Sequence, residues 1–227
     1  MKNLETIQQL LLEKSSNKKK AYRETREVFK QLKIAAQQLA KELNEKVVTV
    51  DPSVEVKFYE KSEFEFHLKF SGDTLVWMMH TNVFDFDNSH FIHQSPYIKE
   101  NPMAVYCGMI QVYNFLADSL KYNREGDLGY LVGRMFVNMD GKFMMEGKRP
   151  LSLLYANIAE NSVEAATLRN ILTESMHYCL NFDLQAPPLE ALNYISVEQK
   201  NMMSYSTGMP TGKMLGFRNQ DEQSPLE

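Results

Sequence analysis

Residues 80–93 hold three of the chain's five histidines, His80, His90 and His93, together with Asp85 and Asp87. Imidazole and carboxylate are the donor types of zinc, manganese and non-haem iron sites, so a divalent metal is the chemistry this stretch could support. If the backbone is extended, Asp85 and Asp87 share a face. A metal bound by Asp85, Asp87, His90 and His93 would make the chain a metal-dependent hydrolase. The spacing matches no helical His-Glu-x-x-His box, no facial triad and no calcium loop, and loops gather polar residues for solvation alone. The leading expectation is therefore that His80, Asp85, Asp87, His90 and His93 contact a ligand or a partner, without a cofactor.

Other arrangements carry less chemistry. No Gly-x-Ser-x-Gly elbow is present. Glu55-Val-Lys57 has the acid-x-Lys spacing of a metal-nuclease pair, but alternating charge on the solvent side of a strand produces the same spacing. Gly208-Met-Pro-Thr-Gly-Lys213-Met214 is one residue short of a phosphate loop and has Met where Ser or Thr should meet magnesium. Lysines 18 to 20 with Arg23, Arg26, Lys30 and Lys33 could touch phosphates, yet Glu13, Glu24 and Glu27 interrupt them as on a solvated helix face. Cys107 and Cys179, the only two cysteines, each lie in an apolar segment and read as small buried hydrophobes in a reducing compartment.

Composition is that of a globular protein, 44% hydrophobic and 24% charged, with a formal net charge of −4. Residues 1–50 carry 11 Lys or Arg against 6 Glu, a balance of +5 that leaves −9 for the remainder. Nucleic acid is not implied as a partner by that balance. No apolar run reaches the roughly 20 residues that span a bilayer, and the amino terminus lacks the apolar core of a signal peptide, which together predict a cytoplasmic protein.

The elements that must position these residues follow from period and punctuation. Residues 2–14 read as a short amphipathic helix, Ser15-Ser16-Asn17 as an interruption and residues 18–46 as a longer helix. Tyr22, Thr25, Phe29, Leu32, Ala36, Leu39 and Leu43 fall at heptad a and d positions of that helix. Such a seam packs either on the chain's own sheet or, through Phe29, Leu32, Ala36, Leu39 and Leu43, on a second copy as a homodimer.

After Asp51-Pro52 three strands are expected, at 54–59, 62–70 and 74–80; in the second, Phe64, Phe66, Leu68 and Phe70 alternate with Glu63, Glu65, His67 and Lys69. Residues 82–102 lose all period and read as a functional loop or one hiding a short helix. Residues 104–120 are a buried strand or a helix, which period cannot separate. Two apolar runs flanking Asp140-Gly141 predict a hairpin with a two-residue type I′ turn that pairs Val137 with Met144 and Phe136 with Met145. Pro150 suits the start of a short helix to about residue 158, and Asn161-Ser-Val-Glu164 has capping-box spacing for a helix whose stripe is Ala165, Leu168, Leu172, Ser175, Cys179 and Phe182.

The sequence thus predicts an α+β fold: an antiparallel sheet of about five or six strands with an N-terminal helical arm (1–50), C-terminal covering helices completing the core (51–203), and a flexible tail (204–227). The function expected is that of a cytosolic binding or regulatory interaction module whose partner is a protein or a small molecule. The alternatives are the metal-dependent hydrolase using residues 80–93 and a small-ligand sensor with a dimerising helix.

Overall fold

A computed structural model describes residues 3–183 together with Ala186, Tyr194, Ser196, Val197, Lys200 and Asn201. The expected tail from residue 204 and the Gly208–Met214 segment lie outside the described residues. The chain is nearly all helix to residue 48: α1 (Leu4–Leu10), one wide π turn (Leu11–Ser15) and α2 (Ser16–Val48). Ser15-Ser16-Asn17 does not interrupt it, because exposed polar residues without Pro or Gly cost a helix only a few tenths of a kcal/mol each. α1 buries none of its side chains.

The sheet is a six-stranded antiparallel meander in which every strand neighbours the next in sequence. Its strands are β1 (Val56–Ser62), β2 (Glu65–Phe70) and β3 (Asp73–Phe84), then, after α3 (Pro96–Glu100), β4 (Cys107–Leu116). Following α4 (Ala117–Lys121) come β5 (Tyr130–Asn138) and β6 (Phe143–Gly147), and then α5 (Leu151–Leu154) and α6 (Ala165–Leu180). Residues 104–120 thus resolve mainly as a strand. The stretch 82–102, expected as a loop, completes β3 and then folds into a 3-10 turn (Phe91–Gln94) and α3.

One sheet face packs on α2 and α6. Phe66 and Leu68, both fully buried, meet Trp77, whose indole stacks on Phe66 at 5.9 Å and 4°, while Phe29 of α2 closes on Phe66 at 5.4 Å. Here the heptad seam finds its partner. Phe29, Leu32, Ala36 and Leu39 are 0–3% exposed inside the chain's own core and Leu43 packs against it, so the route to a homodimer through these residues is closed. Their removal from water, worth about 1.5–3 kcal/mol for each large side chain, already contributes to this fold.

Three local expectations are corrected. The hairpin between β5 and β6 pairs Val137 with Phe143, Phe136 with Met144 and Met135 with Met145, one residue off the expected register. Its loop is Met139-Asp140-Gly141: Gly141 N donates to Asn138 O at 3.2 Å, Asn138 N to Lys142 O at 2.9 Å, and only Gly141 has positive φ, +71°. That is a type I turn closed by a glycine bulge, which suits the strand twist as a two-residue type I′ turn does. The capping box does not form either. Ser162 bridges to Lys142 and Phe143 N donates to Asn161 O at 3.2 Å, so the segment extends the sheet edge and α6 starts at Ala165 with Glu164 as its cap residue. The helix expected to about residue 158 closes at Leu154. The stripe survives these shifts, with Leu168, Leu172, Ser175 and Cys179 fully buried.

The opposite sheet face is covered over one half only. Residues 85–106 fold across β4, β5 and β6, burying Ile92, Ile98 and Val105 against Met109, Phe136 and Met144. That segment does not cover the rest of this face, on β1, β2 and β3, where Tyr59 and Lys61 are exposed while His67, Thr74 and Val76 are buried.

Candidate functional site

The five side chains singled out from the sequence make hydrogen bonds mostly within residues 80–93. His80 Nδ1 accepts from Asn82 N at 3.0 Å, Asp85 Oδ1 from Phe86 N at 2.9 Å, and Asp87 Oδ1 from both the Ser89 amide at 2.9 Å and its hydroxyl at 2.6 Å. The Ser89 bonds hold the Asp87 carboxyl below its ordinary value. The Asp87–Ser89 pair is an Asx turn. His93 Nε2 lies 3.4 Å from Phe86 O.

His90 reaches furthest. Its Nδ1 accepts from Ile92 N at 3.2 Å, so Nε2 carries the proton that bonds Glu146 Oε1 at 2.7 Å, and Arg134 Nε donates to the other Glu146 oxygen at 2.7 Å. Phe86 and Phe91 flank the imidazole at 4.6 and 4.3 Å. Both ring nitrogens are thereby bonded, which makes His90 a fastener between the crossing segment and β6. Among the described residues, no three His, Cys, Asp or Glu side chains gather where they could hold a metal ion.

A concavity lies on the half of the same face that residues 85–106 leave uncovered. It encloses about 670 Å³ between the outward side chains of β1 (Tyr59, Lys61) and β2 (His67, Lys69), the turn Ser71-Gly72, Thr74 of β3, and the segment from Leu116 through α4 to Arg124. Strand alternation produces the sheet half of this wall. Phe66, Leu68 and Phe70 go to the core, so His67 and Lys69 must point the other way. One hydrogen bond brings the other wall in: Ala117 N, at the start of α4, donates to Gly72 O at 2.7 Å. Ser71, with φ of +51°, supports that turn through its amide on Glu55 O at 3.2 Å.

Electrostatically the groove runs against the rest of the chain. Lys61, Lys69, Lys121 and Arg124 line it, and Asp118 is the single carboxylate among its lining residues. A hydrogen bond with Tyr122 holds Lys121 above its ordinary value, keeping it charged. Arg124, only 11% exposed in its side chain, lies 3.9 Å from Asp127, whose carboxylate is 1% exposed and accepts from Ser119 Oγ at 2.5 Å. His67 Nε2 bonds Glu65 Oε1 at 2.7 Å; burial pushes the imidazole below its ordinary value against the pull of that carboxylate. Leu116, Ala117 and Leu120 give the groove an apolar side.

Sequence reasoning did not single out this site. Its one visible signal was the water-facing set His67 and Lys69, which reads as ordinary strand solvation, while the partner residues Lys121 and Arg124 sit some 50 positions away along the chain. No protein-family model, curated protein or solved structure matches the chain.

Proposed function

We propose that this protein is a binding module for a small molecule, held in the groove between the outer face of β1, β2 and β3 and α4. The observation that carries this reading is the half-covered sheet face: residues 85–106 close one half with apolar packing, and the other half keeps a concavity of about 670 Å³ edged by charged and hydroxyl side chains. Ligand sites commonly fall between about 300 and 1,000 Å³ and combine apolar walls with a few polar groups. Tyr59, Ser71 and Thr74 supply hydroxyls, and the imidazole of His67 already bonds Glu65, a set suited to holding a ligand. Two free, buried cysteines support placing this module in a reducing compartment such as the cytoplasm.

The test is a fragment screen by amide NMR on the full chain, using neutral, anionic and cationic fragments. Shifts confined to residues 59–74 and 116–124 support the reading. Hits that map elsewhere, or no hits from any charge class, overturn it.

A further inference from the structure

The groove concentrates positive charge on a chain whose net charge is −4 and whose residues beyond 50 sum to −9. Three lysines, with Arg124 beside the buried Asp127 carboxylate, against one lining carboxylate is therefore a local arrangement, and in a concave site with low-dielectric walls like charges reinforce one another's field. Self-repulsion among them is offset when an anion binds. Arg124 is also unlike a surface lysine on a free stem. Its backbone N donates to Ser119 O at 2.8 Å, Asp127 N donates to Arg124 O at 3.0 Å, and the Asp127 carboxylate, held by Ser119, lies beside the guanidinium. A guanidinium fork held beside the Asp127 carboxylate has the geometry that pairs with phosphate or carboxylate oxygens.

We infer that the ligand is a small organic polyanion, such as a phosphate ester, with its charged groups among Lys61, Lys69, Lys121 and Arg124, its carbon part on Leu116 and Leu120, and Asp127 acting as the residue that positions Arg124. This inference rests on the groove being the ligand site. Asp118, at the rim of the same helix, accepts a hydroxyl of the ligand, which favours hydroxylated anions over simple polycarboxylates.

The experiment is calorimetry on the full chain with pyrophosphate, ADP and, as the uncharged counterpart of ADP, adenosine, at two salt concentrations. ADP and pyrophosphate bind, weaken as salt rises, and exceed adenosine by about tenfold or more, the scale of one or two charge-assisted hydrogen bonds. Arg124→Gln lowers ADP affinity about tenfold; Lys69→Gln, half-buried, and Lys121→Gln, exposed, lower it while the fold is kept and keep the test valid if the arginine variant fails to fold. Asp127→Asn weakens ADP while leaving the affinity of a neutral groove-binding fragment unchanged, a split that a merely structural role would not produce. If neutral fragments occupy the groove and neither pyrophosphate nor ADP binds, the polyanion inference is overturned and the binding-module reading stands. If no fragment of any class binds the groove, it is that reading which fails. ADP binding that all three cation variants leave intact also overturns the inference.

Discussion

Thr25 of α2 stands in the space that a side chain at Gly108 of β4 would need: a Cβ built on Gly108 would lie 2.2 Å from Thr25 Oγ1 and 2.8 Å from its Cβ. The threonine hydroxyl donates to Ala21 O at 2.7 Å and also approaches Val137 O at 3.4 Å, so helix and sheet meet here nearly backbone to backbone. That contact sets how closely the long helix lies on the sheet whose other face carries the groove.

Gly108→Ala is accordingly expected to cost about 1–3 kcal/mol, the range for overpacking a well-filled core. A urea titration measures it. Combining it with Thr25→Ala removes the hydroxyl and methyl of the clash and recovers part of the loss; a double variant no better than the sum of the two singles would contradict the close approach.

At the β5–β6 hairpin, Gly141 alone of the three loop residues needs positive φ. Gly141→Val should destabilise by about 1–3 kcal/mol and Gly141→Asn by clearly less, since asparagine tolerates that region. Thermal melts of the two variants decide it, and equal melting temperatures would rule out the bulged turn.

Residues 85–106 are fastened to the hairpin through Tyr97, whose hydroxyl donates to the Asp140 carboxylate and accepts from Asn138 Nδ2 at 2.9 Å. Burial, with Asp140 adding to it, pushes the Tyr97 phenol well above its ordinary value, so it stays a donor at any physiological pH. Tyr97→Phe leaves the buried Asn138 amide short of a bond and should cost about 1–3 kcal/mol. Hydrogen exchange should quicken across residues 91–105 while the amides of β1 and β2 stay protected. Uniform quickening over the whole sheet would instead mean that the segment and the sheet open as one unit.

His67 gives the groove a pH dependence. Its folded state favours the neutral ring, whereas the unfolded chain has the ordinary value of 6.5, so the unfolded chain binds the proton first as pH falls. Stability should therefore be full above about pH 7 and decline below about 6.5, toward the depressed folded value, before the carboxylates titrate. His67→Gln flattens this part of the profile. An unchanged slope between pH 6.5 and 5 in that variant would assign the dependence to another group.

The residue pattern by itself determined the class of fold. Alternation from Phe64 to Phe70 specified a strand with an apolar face, although His67 on the other face is buried as well, and the stripe from Tyr22 to Leu43 specified a helix with one packed side. Local pattern could not specify what the stripe packs on. A heptad seam looks the same whether its partner is a second copy or a sheet, and only the tertiary structure, with Thr25 seated over Gly108, decided for the sheet. Register was likewise beyond local reading. Type I′ and bulged type I turns use the same Asp-Gly signal, and the choice between them falls to the pairing of whole strands, Val137 with Phe143 and Met135 with Met145.

The histidines and aspartates of 80–93 drew attention because ligand-type residues and turn-forming residues are chemically the same. Only the tertiary structure brings His90 beside Glu146, 56 positions away. The groove lies at the other extreme. Lys61, Lys69, Lys121 and Arg124 each look like solvated charge in sequence, and they line one concavity where α4, its Ala117 amide bonded to Gly72, lies beside these strands. Charge is written residue by residue, whereas concavity is a property of where distant segments meet.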